Sequence, residues 1–110
     1  MKNILVIYYV PVAFELRKNT RDHIFSFREE AGAHVYFCNA YCTLPNYLNH
    51  IRFNLVIFHV TFSTFIQCAT EYEAALPSYR NIKGISAPKV LLIQDEHHNA
   101  QRLCRFINEL

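Results

Sequence analysis

Four short runs of almost unbroken apolar residues punctuate the chain: NILVIYY (Asn3–Tyr9), HVYFCN (His34–Asn39), NLVIFHV (Asn54–Val60) and KVLLI (Lys89–Ile93). A strand wetted on one side alternates apolar with polar residues, whereas a continuous run marks a strand buried on both faces. Between the runs the apolar spacing becomes that of a helix. Thr20, Ile24, Phe27 and Ala31 share one stripe, with Thr20 or Asn19 expected as N-cap and Gly32 as the C-terminal glycine. Phe62, Phe65, Ile66, Ala69, Tyr72, Ala75 and Leu76 form a second stripe, which Pro77 interrupts. Ala100, Leu103, Cys104, Ile107 and Leu110 form a third, in a helix expected over His98–Glu109. A loop rich in Asn and Tyr, with Pro45 and a short helical turn near Tyr47, separates the second and third strands.

Doubly buried strands alternating with helices require right-handed crossovers and a parallel α/β sheet. The expectation is one Rossmann-like or flavodoxin-like domain over residues 1–110, with four strands in the order 2-1-3-4 and flanking helices. Ligands of such sheets lie outside the carboxyl ends of the strands, beside the switch point. Those ends are Tyr8-Tyr9-Val10, Asn39-Ala40, His59-Val60-Thr61 and Gln94-Asp95-Glu96. The pattern stops on a helix and leaves KVLLI as an apolar edge, which natural sheets cover or pair. The chain is therefore expected to be part of a larger protein, or to pair with a partner through its fourth strand.

Charge and composition remove several classes of function. Hydrophobic residues make up 52% of the chain and charged ones 18%, a folded rather than a disordered composition. A net charge of +2, with Lys and Arg dispersed, does not build a nucleic-acid footprint. The stretch Leu55–Ile66 is broken by His59, Thr61, Ser63 and Thr64, so no membrane-spanning segment is expected and the default compartment is the cytoplasm. The four cysteines read as reduced thiols, Cys38 in a strand and Cys68 and Cys104 on helices. Cys38 and Cys42 lack the second pair that zinc would need.

Chemistry at the strand ends is limited by the two glycines. Phosphate-cradling loops need glycine for close backbone approach, and YYVPVAFE after the first strand has none, which argues against dinucleotide, P-loop and flavodoxin-type sites. Receiver-type phosphoryl transfer needs carboxylates where Tyr8, Tyr9 and His59 stand. His59 remains as a candidate general base or hydrogen-bond anchor for a sugar hydroxyl, against the plainer reading of a histidine bonded to backbone. In LLIQDEHHNAQ, Asp95 and Glu96 are adjacent and point apart, so they suit helix capping better than paired acid–base work. His97 and His98 rarely converge on one ion at that spacing, and no metal is assigned. Tyr8, Tyr9, Tyr41 and Tyr47 could stack on a ligand ring or simply fill a rim.

Taken together, KNILVIYYV, LRKNTRDHIFSF, the NLVIFHV strand and LLIQDEHHNAQRLCRFINEL resemble the N-terminal part of GT-B glycosyltransferases of the bacterial polysaccharide type, over essentially all 110 residues. Asn54 stands where an Asp is frequent in that pattern. The resemblance implies an acceptor-side domain whose partner molecule is a sugar or glycan acceptor. The nucleotide sugar would be held by a separate domain absent from this chain, so no cofactor is expected here and the chain alone should transfer no sugar. His59 is the candidate catalytic residue, with Tyr8, Tyr9, Thr61, Gln94, Asp95 and Glu96 as candidate substrate contacts. The competing expectation is a non-catalytic flavodoxin-like interaction module.

Overall fold

The computed structural model describes residues 2–10, 18–29, 32–41, 44–68, 80–93 and 100–109. Its strands are β1 (Lys2–Tyr8), β2 (Ala33–Asn39), β3 (Leu55–Phe58) and β4 (Lys89–Leu91). They form one all-parallel sheet in the order β2-β1-β3-β4, as the apolar runs predict. Helices α1 (Lys18–Phe25), α2 (Val60–Cys68) and α3 (Ala100–Glu109) flank it, with 3-10 turns at Ser26–Glu29, Asn46–His50 and Arg80–Gly84. Among the described residues no helix is long and apolar enough to cross a membrane.

Register divides the side chains into two faces. Leu5 lies opposite Tyr36 and Val56, and Ile7 opposite Cys38 and Phe58. These residues join Phe62, Phe65, Ile66, Leu103 and Phe106 in the main core. Phe58, Phe62 and Phe106 form its aromatic centre, each pair with ring centroids 5.2 or 5.3 Å apart. The link from β2 to β3 closes the same face with Leu44, Leu48 and Phe53, and Tyr36 meets Phe53 edge-on at 5.5 Å.

The opposite face carries Val6, Ile57 and Val90 in one register row. Helix α1 covers its β1–β2 half: Phe25 packs on Tyr8 and Phe37 at 6.0 and 4.9 Å, and Ile24 is fully buried. Toward β4 the cover thins. Val6 is fully buried, whereas Val90 is 42% exposed.

Several boundaries differ from the sequence reading for identifiable reasons. Helix α1 starts at Lys18, so Asn19 and Thr20 lie inside it and do not cap it. Gly32, with φ of 78°, takes the left-handed turn that leads into β2, a conformation without steric cost only for glycine. Strand β3 ends at Phe58, not Val60, because the backbone carbonyl of His59 already accepts the first helical bonds, from the amides of Phe62 and Ser63. Strand β4 ends at Leu91, although the Leu92 amide still reaches Phe58 O at 3.0 Å. The turn near Tyr47 is present as Asn46–His50, while that at Arg80–Gly84 has no counterpart in the sequence reading. The parts of the expected helices over residues 69–76 and 98–99 lie outside the described residues.

Phe106, at 1% exposure, joins α3 to the sheet through Phe58 and to α2 through Phe62. Phe106→Ala is expected to lower the unfolding free energy in urea by about 3–5 kcal/mol, with lost contact and the remaining cavity both contributing.

Candidate functional site

Polar side chains converge at the carboxyl ends of β1 and β3, where the strand order reverses direction. Here β1 is followed by Tyr9 and Val10, whose amides leave the sheet. Thr61 Oγ1 accepts from the Tyr9 amide at 3.1 Å. Asn39, at the end of β2, holds Val10 twice: its Oδ1 accepts from the Val10 amide at 3.0 Å and its Nδ2 donates to Val10 O at 2.8 Å. The Tyr9 and Val10 amides, backbone donors that could otherwise face an anion, are thus occupied by the chain's own side chains. That agrees with the absence of glycine from this turn.

His59 stands at the centre. It is fully buried, its amide donates to Ile7 O at 2.8 Å, and it is the N-cap of α2. The Thr61 amide donates to His59 Nδ1 at 3.1 Å, the bond an N-cap side chain normally accepts from the second residue of a helix. Thr61 Oγ1 lies 3.0 Å from the same nitrogen. Across the ring, His59 Nε2 lies 2.6 Å from Nδ1 of His23. The two imidazoles are 4.8 Å apart between centroids and tilted by 53°.

Proton positions follow from these donors. A backbone amide always donates, so His59 Nδ1 is bare and the neutral ring carries its proton on Nε2. That proton points at His23 Nδ1, which accepts. Burial first, and the nearby His23 second, depress the His59 pKa from 6.5 to about 4. Among the described residues no buried side-chain nitrogen or oxygen lacks a hydrogen bond.

The tyrosines flank this cluster in different ways. Tyr8 packs edge-on against Phe25 beneath α1. Tyr9 stacks on Phe65 with ring centroids 3.9 Å apart and an interplanar angle of 16°, and Tyr41 meets it edge-on at 5.8 Å. Tyr41 is half exposed and forms the open aromatic rim. Cys38 is buried; burial pushes its thiol pKa up, and a hydrogen bond with the Tyr47 side chain only partly opposes this, so a metal-binding thiolate is disfavoured. Among the described residues no three His, Cys, Asp or Glu side chains form a metal-holding group.

Of the residues singled out in the sequence, His59, Thr61 and Tyr9 are brought together, and Tyr8 sits beside them on the α1 side of the sheet. Gln94, Asp95, Glu96, His97 and His98 lie outside the described residues, as does Cys42. His23 was not singled out, and Asn39 was named only as the end of the second strand. Asn39 is an ordinary strand-end residue in sequence. His23 carries one available signal: it directly precedes the buried Ile24, and a polar residue beside the apolar stripe of α1 stands at the border of the sheet. Comparison with protein-family models, with curated proteins and with solved structures returns no match.

The buried ring makes stability depend on pH. Unfolded, His59 takes a proton near pH 6.5; folded, it stays neutral down to about 4. Between these values the unfolded state binds more protons, so the contribution is complete above 6.5 and is lost as pH falls toward 4. Urea unfolding across that range is expected to show a loss of about 2 kcal/mol, after allowance for screening on the exposed His23 side. His59→Asn, which retains a capping oxygen, should flatten the slope.

Proposed function

We propose that this chain is the acceptor-side α/β domain of a GT-B-type glycosyltransferase, in which the nucleotide sugar is held by another domain. The observation that carries the reading is the character of the strand-end cluster. It is rich in hydroxyl, amide and imidazole groups, and edged by Tyr9 and Tyr41. Sugars offer hydroxyls to neutral partners and their C–H faces to aromatic rings. Diphosphates call for free backbone amides or cations, and the Tyr9 and Val10 amides are already bonded. These two occupied amides favour a glycan acceptor over a nucleotide-sugar donor beside them.

In this role His59 is enclosed and acts through its neighbours, and His23 is the member of the pair exposed to a ligand. Ligand-observed NMR with a panel of neutral oligosaccharides tests the assignment. Saturation transfer to one or more glycans is expected, with affinity falling about tenfold in His23→Ala, the scale of one lost hydrogen bond. Strong binding of a nucleotide sugar with no response to any glycan would reverse the assignment of sides.

A second reading, a non-catalytic interaction module, is favoured by one specific observation. Among the described residues strand β4 is the sheet edge, its own Val90 is 42% exposed, and a cleft of about 240 Å³ lined by Phe58, Lys89, Leu91, Phe106 and Ile107 opens on its other face. In that reading β4 would pair with a strand of a second α/β element. Light scattering on the purified chain distinguishes this reading. It requires a complex that Val90→Glu dissociates while the circular dichroism stays unchanged; a monomer with intact glycan binding removes it.

A further inference from the structure

We infer that His59 is a positioning residue that locks the exposed His23 in its Nε2–H tautomer, so that His23 meets its ligand as a hydrogen-bond donor to an oxygen and not as a base. The choice of a sugar hydroxyl as that oxygen rests on the acceptor-side reading above; the lock itself does not.

The polarity of the relay is set at its buried end. Thr61 N–H points at His59 Nδ1 over 3.1 Å, and no change of tautomer can reverse a backbone donor. Were His59 protonated on Nδ1 instead, two N–H groups would face each other in a site closed to water. With Nδ1 bare, Thr61 is free to turn its hydroxyl proton toward it across 3.0 Å while its oxygen takes the Tyr9 amide. The ring proton must then lie on Nε2, 2.6 Å from His23 Nδ1. His23 Nδ1 is consumed as an acceptor, and a neutral His23 has only Nε2 left to carry its proton.

This outcome separates two chemistries that a sequence cannot separate. A general base needs a bare nitrogen facing the substrate proton. His23 offers a bare nitrogen only inward, to His59. Outward it offers N–H, suited to a hydroxyl or carbonyl oxygen and unsuited to pulling a proton from one. Arg28 is in contact with the rings of Phe25 and Phe37, 5.2 and 5.5 Å from their centroids, on the same side of the sheet. His59 itself lies too deep to touch the ligand; its effect passes through the 2.6 Å bond.

Two-bond ¹H–¹⁵N correlation of the histidine rings in the labelled chain, at about pH 7.5 where an ordinary imidazole is neutral, reads the lock directly. Both His59 and His23 are expected as single Nε2–H tautomers. Thr61→Val, which keeps the amide and removes only the hydroxyl, should leave the lock in place. His59→Asn, which keeps a capping oxygen for the Thr61 amide but is too short to reach His23, should release His23 into a mixture of tautomers while urea unfolding confirms a folded chain. An Nδ1–H or mixed His23 in the wild type overturns the inference, as does an unchanged His23 in His59→Asn.

Titration with a methyl glycoside then addresses the ligand. His23→Gln, an amide that donates but cannot serve as a base, is expected to bind within about twofold of the wild type, whereas His23→Ala weakens binding about tenfold. Gln as weak as Ala overturns the donor role. A locked His23 with no response to any glycoside overturns the acceptor-side reading and the ligand class, and supports the tautomer assignment by itself.

Discussion

One backbone amide, that of Thr61, decides more of this structure than any other single group. Its bond to His59 Nδ1 caps α2 just past the end of β3 and sets the proton on the far side of the ring. Because the second residue of a helix has no intrahelical partner, it must find one, and the imidazole supplies it. The same histidine receives its backbone place from β1, through the bond of its amide to Ile7 O. Strand, helix and site are therefore fixed by one residue, and the site inherits the rigidity of the sheet.

That rigidity has an apolar foundation. Phe58 precedes His59 and points to the opposite face, into the cluster with Phe62 and Phe106. Alternation along the strand thus seats one residue in the core and turns the next toward α1. Ser63, one turn into α2, donates to Leu92 O at 2.5 Å and ties the same helix to the end of β4. At the amino ends of the strands Asn54 does comparable work: its Oδ1 accepts from the Asn3 backbone amide at 2.9 Å, and its backbone amide donates to Asn3 O at 2.8 Å. The sheet is pinned by side chains at both ends, with van der Waals packing between.

The strands and their order were legible in the sequence because doubly buried strands leave continuous apolar runs, and because a parallel sheet permits few connections. Their ends were less so. NLVIFHV continues apolar through Val60, and nothing in composition says that His59 turns from strand to cap. The site was half legible. His59, Thr61 and Tyr9 stand at strand ends, where a topological rule directs attention. His23 does not. It sits 36 residues from His59 on a helix whose position depends on how Phe25 packs between Tyr8 and Phe37. Periodicity tells which face of a helix is buried, but not which strand end its border residues will reach.

The identity of His59 is more than capping requires. Ser, Thr, Asp and Asn cap helices well with short oxygens and fit readily. An imidazole in that place brings a burial cost for its charged form, seen in the pKa lowered to about 4. What it adds over an oxygen cap is a second nitrogen on the opposite edge of a rigid ring. A rigid two-ended group can accept from α2 and donate to α1 at once, which no hydroxyl at that depth could span. The neutral state that burial enforces is also what keeps the direction of donation from reversing. A charged histidine would have protons at both edges and could not accept from the Thr61 amide. Burial, capping and polarity are thus one constraint: the ring must stay neutral to accept from the Thr61 amide, and a neutral ring so bonded can face His23 only as a donor.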